Sequence, residues 1–551
     1  MAAGPAPEYP CRVLSSKLRP SPIPEPLSGQ RLRLASVHSP RFRRLSVIYH
    51  VCAFLLGSLR LRWTGRLTRP LLFRRIRELI ERLSGLWIKA GQLASLRIDL
   101  LPTELCRELA QLQNRAAGFS AAMAKEILAT ELARPLDQVF DRFEDVPVAA
   151  ASIGQVHRAR LRAEKVWVAV KIRRPNIDTI YARDLDLLRL CIGGLEKIGF
   201  MPHMRWREIV WEVEQVMIEE LDYRYEGAYA KRMRKQLKPQ GLFAPKIFRS
   251  YTTPRVLVME FIDGALMSDY LEYAARDPVG AAEWCRENGM DPRQVAVKLL
   301  DSLMQQVFQE NLFHGDMHPG NILLLRGGNC ALIDFGTCGF TETAFMEKWR
   351  ELFKMFGTRE FARIVDIYFL ICASTPAVDL RPVREEIVRR VHEWMRRTGV
   401  PELPFGEKSV DNIAVAITKI LAFNQFELGW SYLRVRRALA SLDASVMELY
   451  PDIDYPALSR KHFREVYERA ARKAATRLPV DAARALGSLM DMSSRLPDDF
   501  AMAMAGVRQQ VQVLGGDILR IGDLVMGMTK RVALAGVVFA AALAWNRFGG
   551  H

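Results

Sequence analysis

Two short stretches constrain this chain more than any other feature: His314-Gly315-Asp316-Met317-His318-Pro319-Gly320-Asn321 and, thirteen residues beyond the asparagine, Asp334-Phe335-Gly336. An aspartate five residues before an asparagine can orient an attacking hydroxyl while the amide oxygen turns toward a metal. A second carboxylate, delivered by a short β-ribbon, can hold Mg²⁺ on phosphates. Apolar residues precede both sites, the mixed stretch 307–313 and the run 330–333, so packed elements can bring Asp316, Asn321 and Asp334 to one cleft. Either triplet alone occurs in unrelated loops. Their order and spacing together point to a kinase-type site that uses ATP and Mg²⁺.

The nucleotide needs a cation on its phosphates, and Val166-Trp167-Val168-Ala169-Val170-Lys171-Ile172 reads as a strand that presents one. Lys171 matches the lysine that pairs with the α and β phosphates. Glu226, in Leu221-Asp222-Tyr223-Arg224-Tyr225-Glu226, is the candidate to orient it. Upstream, a protein kinase would show a glycine-rich loop. This chain shows Ala149-Ala150-Ala151-Ser152-Ile153-Gly154 instead, with Gly154 seventeen positions before Lys171, room for a strand, a turn and a second strand. Small residues admit phosphate to backbone N–H groups and Ser152 adds a hydroxyl, but alanines restrict the positive-φ conformations open to glycine. The loop is expected to be stiffer than its glycine-rich counterpart.

Val256-Leu257-Val258-Met259-Glu260-Phe261-Ile262-Asp263-Gly264 reads as a strand running into a turn, a hinge between lobes. Backbone groups near Glu260 and Ile262 are candidates to bond an adenine. Further upstream, Leu86-Trp87-Ile88-Lys89-Ala90-Gly91-Gln92-Leu93 continues a helical apolar pattern that ordinary kinases lack.

Lys89-x-Gly91-Gln92, the 149–152 loop, Glu220-x-Asp222, the 314–321 stretch and Asp334-Phe335-Gly336 together resemble the UbiB/AarF/ADCK atypical kinases over about residues 83–340. The resemblance implies an α+β, protein-kinase-like bilobal fold with an N-terminal helical extension and a helical C-terminal region. It also implies that the Lys89 helix folds over the active site, that Lys89 meets Glu220 or Asp222, and that Gln92 faces the nucleotide. Such a plug would obstruct a peptide groove. A small-molecule, lipid-linked or ATPase role in support of ubiquinone (coenzyme Q) biosynthesis is therefore implied, with membrane lipids, quinone precursors or a biosynthetic complex as partners. The residues after Gly336 (Thr337-Cys338-Gly339) and the stretch Ser95 to Asp99 depart from the family's usual pattern without touching a proposed ligand. Two alternatives stand beside this reading: a soluble phosphotransferase of the aminoglycoside type, and a non-catalytic nucleotide-binding scaffold of a lipid-biosynthetic complex.

The net charge of +17 is uneven: residues 1–77 hold 15 Lys or Arg against two acids, Glu8 and Glu25. Residues 1–45, rich in Pro and Ser, read as a disordered basic arm. Val47 to Leu59 is a short apolar stretch between arginines, too short to span a bilayer and suited to an anionic membrane surface. No recognition module for nucleic acid accompanies the arm. Residues 46–140 read as the helical extension, 141–265 as the N-lobe, 266–520 as a helical C-lobe and 521–551 as a hydrophobic membrane segment around Val532 to Trp545. Helical periodicity covers 345–356, 361–372, 384–397, 410–423 and 457–477. Eight scattered cysteines without a C-x-x-C pair suit a reducing compartment. The expected location is the cytoplasmic face of a bacterial inner membrane, ahead of a mitochondrial one.

Overall fold

The computed structural model describes residues 16–24, 42–95, 97, 101–112, 118–150, 153–197, 206–358, 360–376, 379–398, 400, 402–403 and 405–475. Val532 to Trp545 and the rest of the expected C-terminal membrane segment lie outside them, as do Ala151 and Ser152. The chain divides into two compact units, the first comprising residues 1–346, 404–412 and 430–453 and the second 347–403, 413–429 and 454 onward. Two later segments, 404–412 and 430–453, belong to the first unit.

The first unit opens with four helices, α1 (Arg43–Trp63), α2 (Arg69–Leu83), α3 (Leu86–Ser95) and α4 (Thr103–Ala110), followed by α5 (Ala121–Leu132) and the one-turn α6 (Leu136–Val139). A sheet follows: β1 (Phe140–Phe143), β2 (Ala149–Ala150), β3 (Gly154–Leu161), β4 (Trp167–Arg173) and, after an excursion, β6 (Val256–Glu260). Its order is β1-β3-β4-β6 with β2 paired to β3, all antiparallel. Successive side chains on a strand point to opposite faces. On β4, Val168, Val170 and Ile172 join Leu128 of α5 in one buried cluster, while Ala169 joins Leu86 and Leu93 of α3 in another. Burial on both faces explains why this strand is a continuous apolar run rather than an alternating one. Lys171 shares the Ala169 face, toward the helices that carry its partners.

The excursion between β4 and β6 holds α7 (Ile177–Lys197), α8 (Trp206–Leu221), α9 (Tyr223–Leu237) and β5 (Leu242–Phe243). Beyond β6 come β7 (Ala265–Leu266), α10 (Met267–Arg276), α11 (Pro278–Glu287) and α12 (Pro292–Gln305), then the antiparallel ribbon β8 (Ile322–Leu325) and β9 (Asn329–Leu332). The helix Trp430–Leu449 packs along α12.

The structure describes two parts of the basic N-terminus. Residues 16–24 lie on α11 and the β8–β9 turn, and the apolar stretch belongs to a 21-residue helix beginning at Arg43. Arg43 Nε and Nη2 donate to the two Asp184 carboxylate oxygens on α7 at 2.8 and 2.7 Å, and Nη2 also donates to the Leu83 carbonyl. Both side chains are buried, so this bidentate pair fixes the start of α1 on the fold. The rest of α1 is long and apolar enough to cross a membrane by length and composition, and it exposes Leu45, Ile48, Leu55, Leu56, Leu59 and Trp63.

The second unit is helical, as the periodicity indicates: Phe361–Ile371, Leu380–Thr398 and Tyr455–Ala475 match the expected segments to within a turn. Arg384 bridges the first two through Asp366 at 2.9 Å, and Phe369 stacks on Phe426.

Candidate active site

Lys171 and Glu226 are 55 positions apart and in contact. β4 carries Lys171 opposite Val156 of β3, and α9, capped by Asp222, turns Glu226 inward on its first turn. Lys171 Nζ donates to both Glu226 carboxylate oxygens at 2.9 Å and lies 3.9 Å from Asp334 Oδ2. Both members of the pair are buried. Burial pushes the Glu226 pKa up, whereas on Lys171 the nearby Asp334 and Glu226 carboxylates outweigh the burial and raise its pKa, keeping the ammonium charged. Burial would raise Asp334 as well, but Lys171 and the Gly336 N–H, which donates to Oδ1 at 3.0 Å, hold it down at about 2. Asp334 is a carboxylate at any physiological pH.

The 314–321 loop is tied to Asp334 through His314. Burial lowers the His314 pKa, so the ring is neutral. Nδ1 accepts the Asp316 N–H at 3.2 Å, which requires Nε2 to carry the proton it donates to the Asp334 carbonyl. Asn321 donates its amide N–H to the Asp316 carbonyl at 3.1 Å, and its own carbonyl accepts Ile333 N–H. Gly315 is compulsory here: a Cβ would stand 2.3 Å from the Thr337 carbonyl. Asp316, Asn321 and Asp334 are thus joined by direct bonds through neighbours of one another.

Asp316 has partners that the sequence did not announce. From the helix Trp430–Leu449, Arg437 Nη2 donates to Oδ2 at 3.1 Å and Ser441 Oγ to Oδ1 at 2.9 Å. Burial alone would raise the Asp316 pKa, but Arg437, His318, the Ser441 hydroxyl and His314 together outweigh it, and the group sits below the usual carboxylate range. The one legible signal was the four-residue step between Arg437 and Ser441 on a helix, which places both on one face.

The other expected residues fall as follows. Lys89 pairs with Glu220, both buried, while Asp222 instead caps α9 and binds Arg224. Lys89 therefore takes the first acid of the motif. Gln92 donates its amide to the Leu112 carbonyl at 2.9 Å, a contact within the helical extension. Ala149 and Ala150 form β2 and lead toward Gly154, where a Cβ would meet Tyr223 Oη at 2.4 Å and the Ile172 carbonyl at 2.5 Å. At the hinge, the Glu260 N–H is already committed to the Lys246 carbonyl at 2.8 Å and its side chain to Arg234 and the Lys246 N–H. Glu260 N–H is not a free donor, because a bridge between Ile247 and Met259 continues the sheet past it. Ile262 lies beyond the ladder, which ends at the pairing of Val168 with Glu260.

The donor set suits a nucleotide with Mg²⁺. Asp334 and Asn321 offer hard oxygens, which Mg²⁺ takes in ones and twos beside phosphate oxygens. Among the described residues no group of three His, Cys, Asp or Glu forms a dedicated metal cage. The Tyr223 hydroxyl, buried beneath Gly154, makes no hydrogen bond among the described residues and points to a missing polar neighbour.

Residues 111–368 match the ABC1 atypical kinase-like domain. A probable protein kinase UbiB from Shewanella denitrificans is 29% identical over 391 residues, covering 69% of this chain and 67% of that protein. The chloroplastic protein Activity of BC1 Complex Kinase 8 of Arabidopsis thaliana is 32% identical over 324 residues, covering 58% of this chain but 41% of its own length. Among solved structures, the complex of Rv3197 with erythromycin from Mycobacterium tuberculosis aligns with 70% of this chain and 93% of its own at 22% identity and a TM-score of 0.45. Residues 111–368 are an ABC1 atypical kinase-like domain, and over 391 residues the chain is similar to the UbiB-type protein kinases.

Proposed function

We propose that this protein is a membrane-associated atypical kinase or ATPase that supports ubiquinone biosynthesis through ATP-dependent phosphoryl transfer or hydrolysis. The observation that carries the reading is the buried Lys171–Glu226 pair 3.9 Å from the Asp334 carboxylate. That arrangement is the one by which a kinase presents a fixed positive charge to phosphates.

In this reading Lys171 binds the α and β phosphates and Glu226 holds its ammonium in place. Backbone groups of the 149–154 segment line the phosphates, and Ile262 offers its backbone to the adenine. Asp334 and Asn321 hold Mg²⁺, which when bound would neutralise charge on the phosphates and leaving group. Asp316 orients the attacking hydroxyl, or a water, toward the γ-phosphorus, so that the new O–P bond forms as the β,γ-bridging bond breaks. Asp316, whose pKa lies below the ordinary carboxylate range, acts mainly by orientation, because it retains a proton poorly at neutral pH.

The Lys89–Glu220 pair supports a family-type extension folded against the lobe, rather than an aminoglycoside-type phosphotransferase, which lacks that element. The exposed apolar face of α1, between Arg-rich ends, supports attachment to a membrane, for which we favour the cytoplasmic face of a bacterial inner membrane. Lipids or quinone precursors are then the accessible acceptors. One observation favours the scaffold alternative: both Asp316 oxygens are already engaged by Arg437 and Ser441. Full-length protein with labelled ATP, Mg²⁺ and vesicles of anionic phospholipid decides between them. Turnover that Asp316→Asn abolishes, with ATP binding retained, supports the enzyme; binding without turnover in the unaltered protein supports the scaffold. Normal quinone levels in a deletion strain would remove the ubiquinone assignment.

A further inference from the structure

The N-terminal segment 16–24, Ser-Lys-Leu-Arg-Pro-Ser-Pro-Ile-Pro, is held on the first unit by bonds with a consistent design. The Ser21 N–H donates to Asn288 Oδ1 at 2.8 Å, and Asn288 Nδ2 donates to Ser21 Oγ at 2.8 Å. Trp284 Nε1 donates to the Ser21 carbonyl at 2.9 Å, so the main-chain polar groups and hydroxyl of one serine are all read. Asn288 and Trp284 are themselves buried, with 1% and 4% of their surface exposed. Three positions before Ser21, the Leu18 carbonyl accepts the Arg326 N–H at 2.9 Å in the β8–β9 turn. Pro20 and Ile23 are buried. Prolines at positions 20, 22 and 24 favour an extended backbone before docking, which lowers the entropy lost on binding.

Where this segment lies matters more than how it is held. Leu18 packs on the apolar cluster of Ile262, Leu323, Leu325 and Ala331. Arg19 reaches Asp263, one residue past Ile262, at 3.1 Å. Leu18 thus packs on the cluster that contains Ile262 and Arg19 pairs with the residue after it, just past the last cross-sheet bond, from the Phe261 N–H to the Trp167 carbonyl at 3.1 Å.

We propose that residues 16–24 are an intramolecular strap that braces the hinge at Ile262 and Asp263, so that docking of the N-terminal arm sets the order of the adenine side of the cleft. The effect on nucleotide affinity rests on the reading of the cleft given above; the bracing of the hinge does not.

Hydrogen exchange on the full chain tests it, comparing the wild type with Leu18→Asp and with Ser21→Pro, which removes the N–H read by Asn288. Both changes lie on a surface segment outside the catalytic residues. The expected result is faster exchange in both variants at Arg326 and across residues 260–264, roughly tenfold or more, with core strand β4 unchanged. Affinity for a fluorescent ATP analogue should fall severalfold in step. Wild-type exchange at Arg326 as fast as in the variants would overturn the strap. So would variants that free Arg326 while leaving hinge exchange at its wild-type rate. If the wild type binds no nucleotide, the cleft reading fails, and hinge exchange alone still decides the strap.

Discussion

Arg437 and Asp316 stand 121 positions apart in the chain and 3.1 Å apart in the fold, so the proposed catalytic carboxylate is positioned by a helix far outside its own loop. The bond is monodentate, and Ser441 holds the other oxygen. Arg437→Gln should lower kcat about tenfold or more while leaving the Kd for ATP within twofold, because the residue acts on the acceptor side of the cleft. Arg437→Lys should recover part of the loss, since an ammonium can replace one N–H donor. Single-turnover kinetics with parallel binding titrations check both values. Equal kcat in Arg437→Gln and wild type would remove it as a positioning residue.

Lys171→Met should reduce kcat/KM for ATP by about 100-fold or more, equivalent to roughly 2.7 kcal/mol of transition-state stabilisation. Glu226→Gln should fall in between, because Lys171 keeps its charge through Asp334 but loses its fixed position. Steady-state hydrolysis with a melting control separates these losses from unfolding.

The Lys89–Glu220 pair is buried on both sides. Lys89→Met leaves a buried carboxylate without its cation and should cost about 3–5 kcal/mol. The double variant Lys89→Met with Glu220→Leu should regain most of that stability, since breaking a buried pair costs more than replacing it. Denaturant unfolding of the two variants against wild type measures the difference.

Asp222 caps α9 and accepts from Arg224, whose side chain is the largest cause of its lowered pKa. A carboxylate whose folded pKa lies below its unfolded value, about 3.9, adds stability that is present above that pH and lost as pH falls through the folded pKa. Asp222→Ala should therefore cost about 1 kcal/mol at pH 7. The gap between variant and wild type should narrow below about pH 4. Melting curves from pH 7 to pH 2.5 follow it.

Gly315→Ala sets a methyl group 2.3 Å from the Thr337 carbonyl oxygen, a backbone atom rather than the far end of a flexible side chain. The expected loss is about 1–3 kcal/mol of stability, the usual cost of overpacking. It should be accompanied by loss of turnover, because Gly315 precedes Asp316.

Much of this site was legible because its chemistry sits in contiguous motifs. The Asp316-to-Asn321 step, the β-ribbon before Asp334 and the strand carrying Lys171 are local patterns, and the fold reproduces them as β8, β9 and β4. Glu226 was reachable because it follows the Glu220-x-Asp222 motif by one helical turn. Arg437 and Ser441 were not, because their role depends on which face of a distant helix meets α12. The choice between Glu220 and Asp222 for Lys89 was also hidden: Asp222 lies at a helix start, where backbone N–H groups compete for it. At the hinge, one bond was hidden for a related reason. β6 reads as a strand in any frame, and the extra bridge to residue 247 that consumes the Glu260 N–H leaves no mark in composition. Nor did the Pro- and Ser-rich N-terminus reveal that two of its short apolar elements, Leu18 and Ile23, have a built surface to meet.

The most direct test is the affinity for ATP of the wild type and of Asp334→Asn, titrated with and without Mg²⁺. A single triphosphate site formed by Lys171, Asn321 and Asp334 predicts that Mg²⁺ tightens binding at least tenfold in the wild type and has no effect in the variant. Equal Mg²⁺ dependence in the two proteins would contradict it.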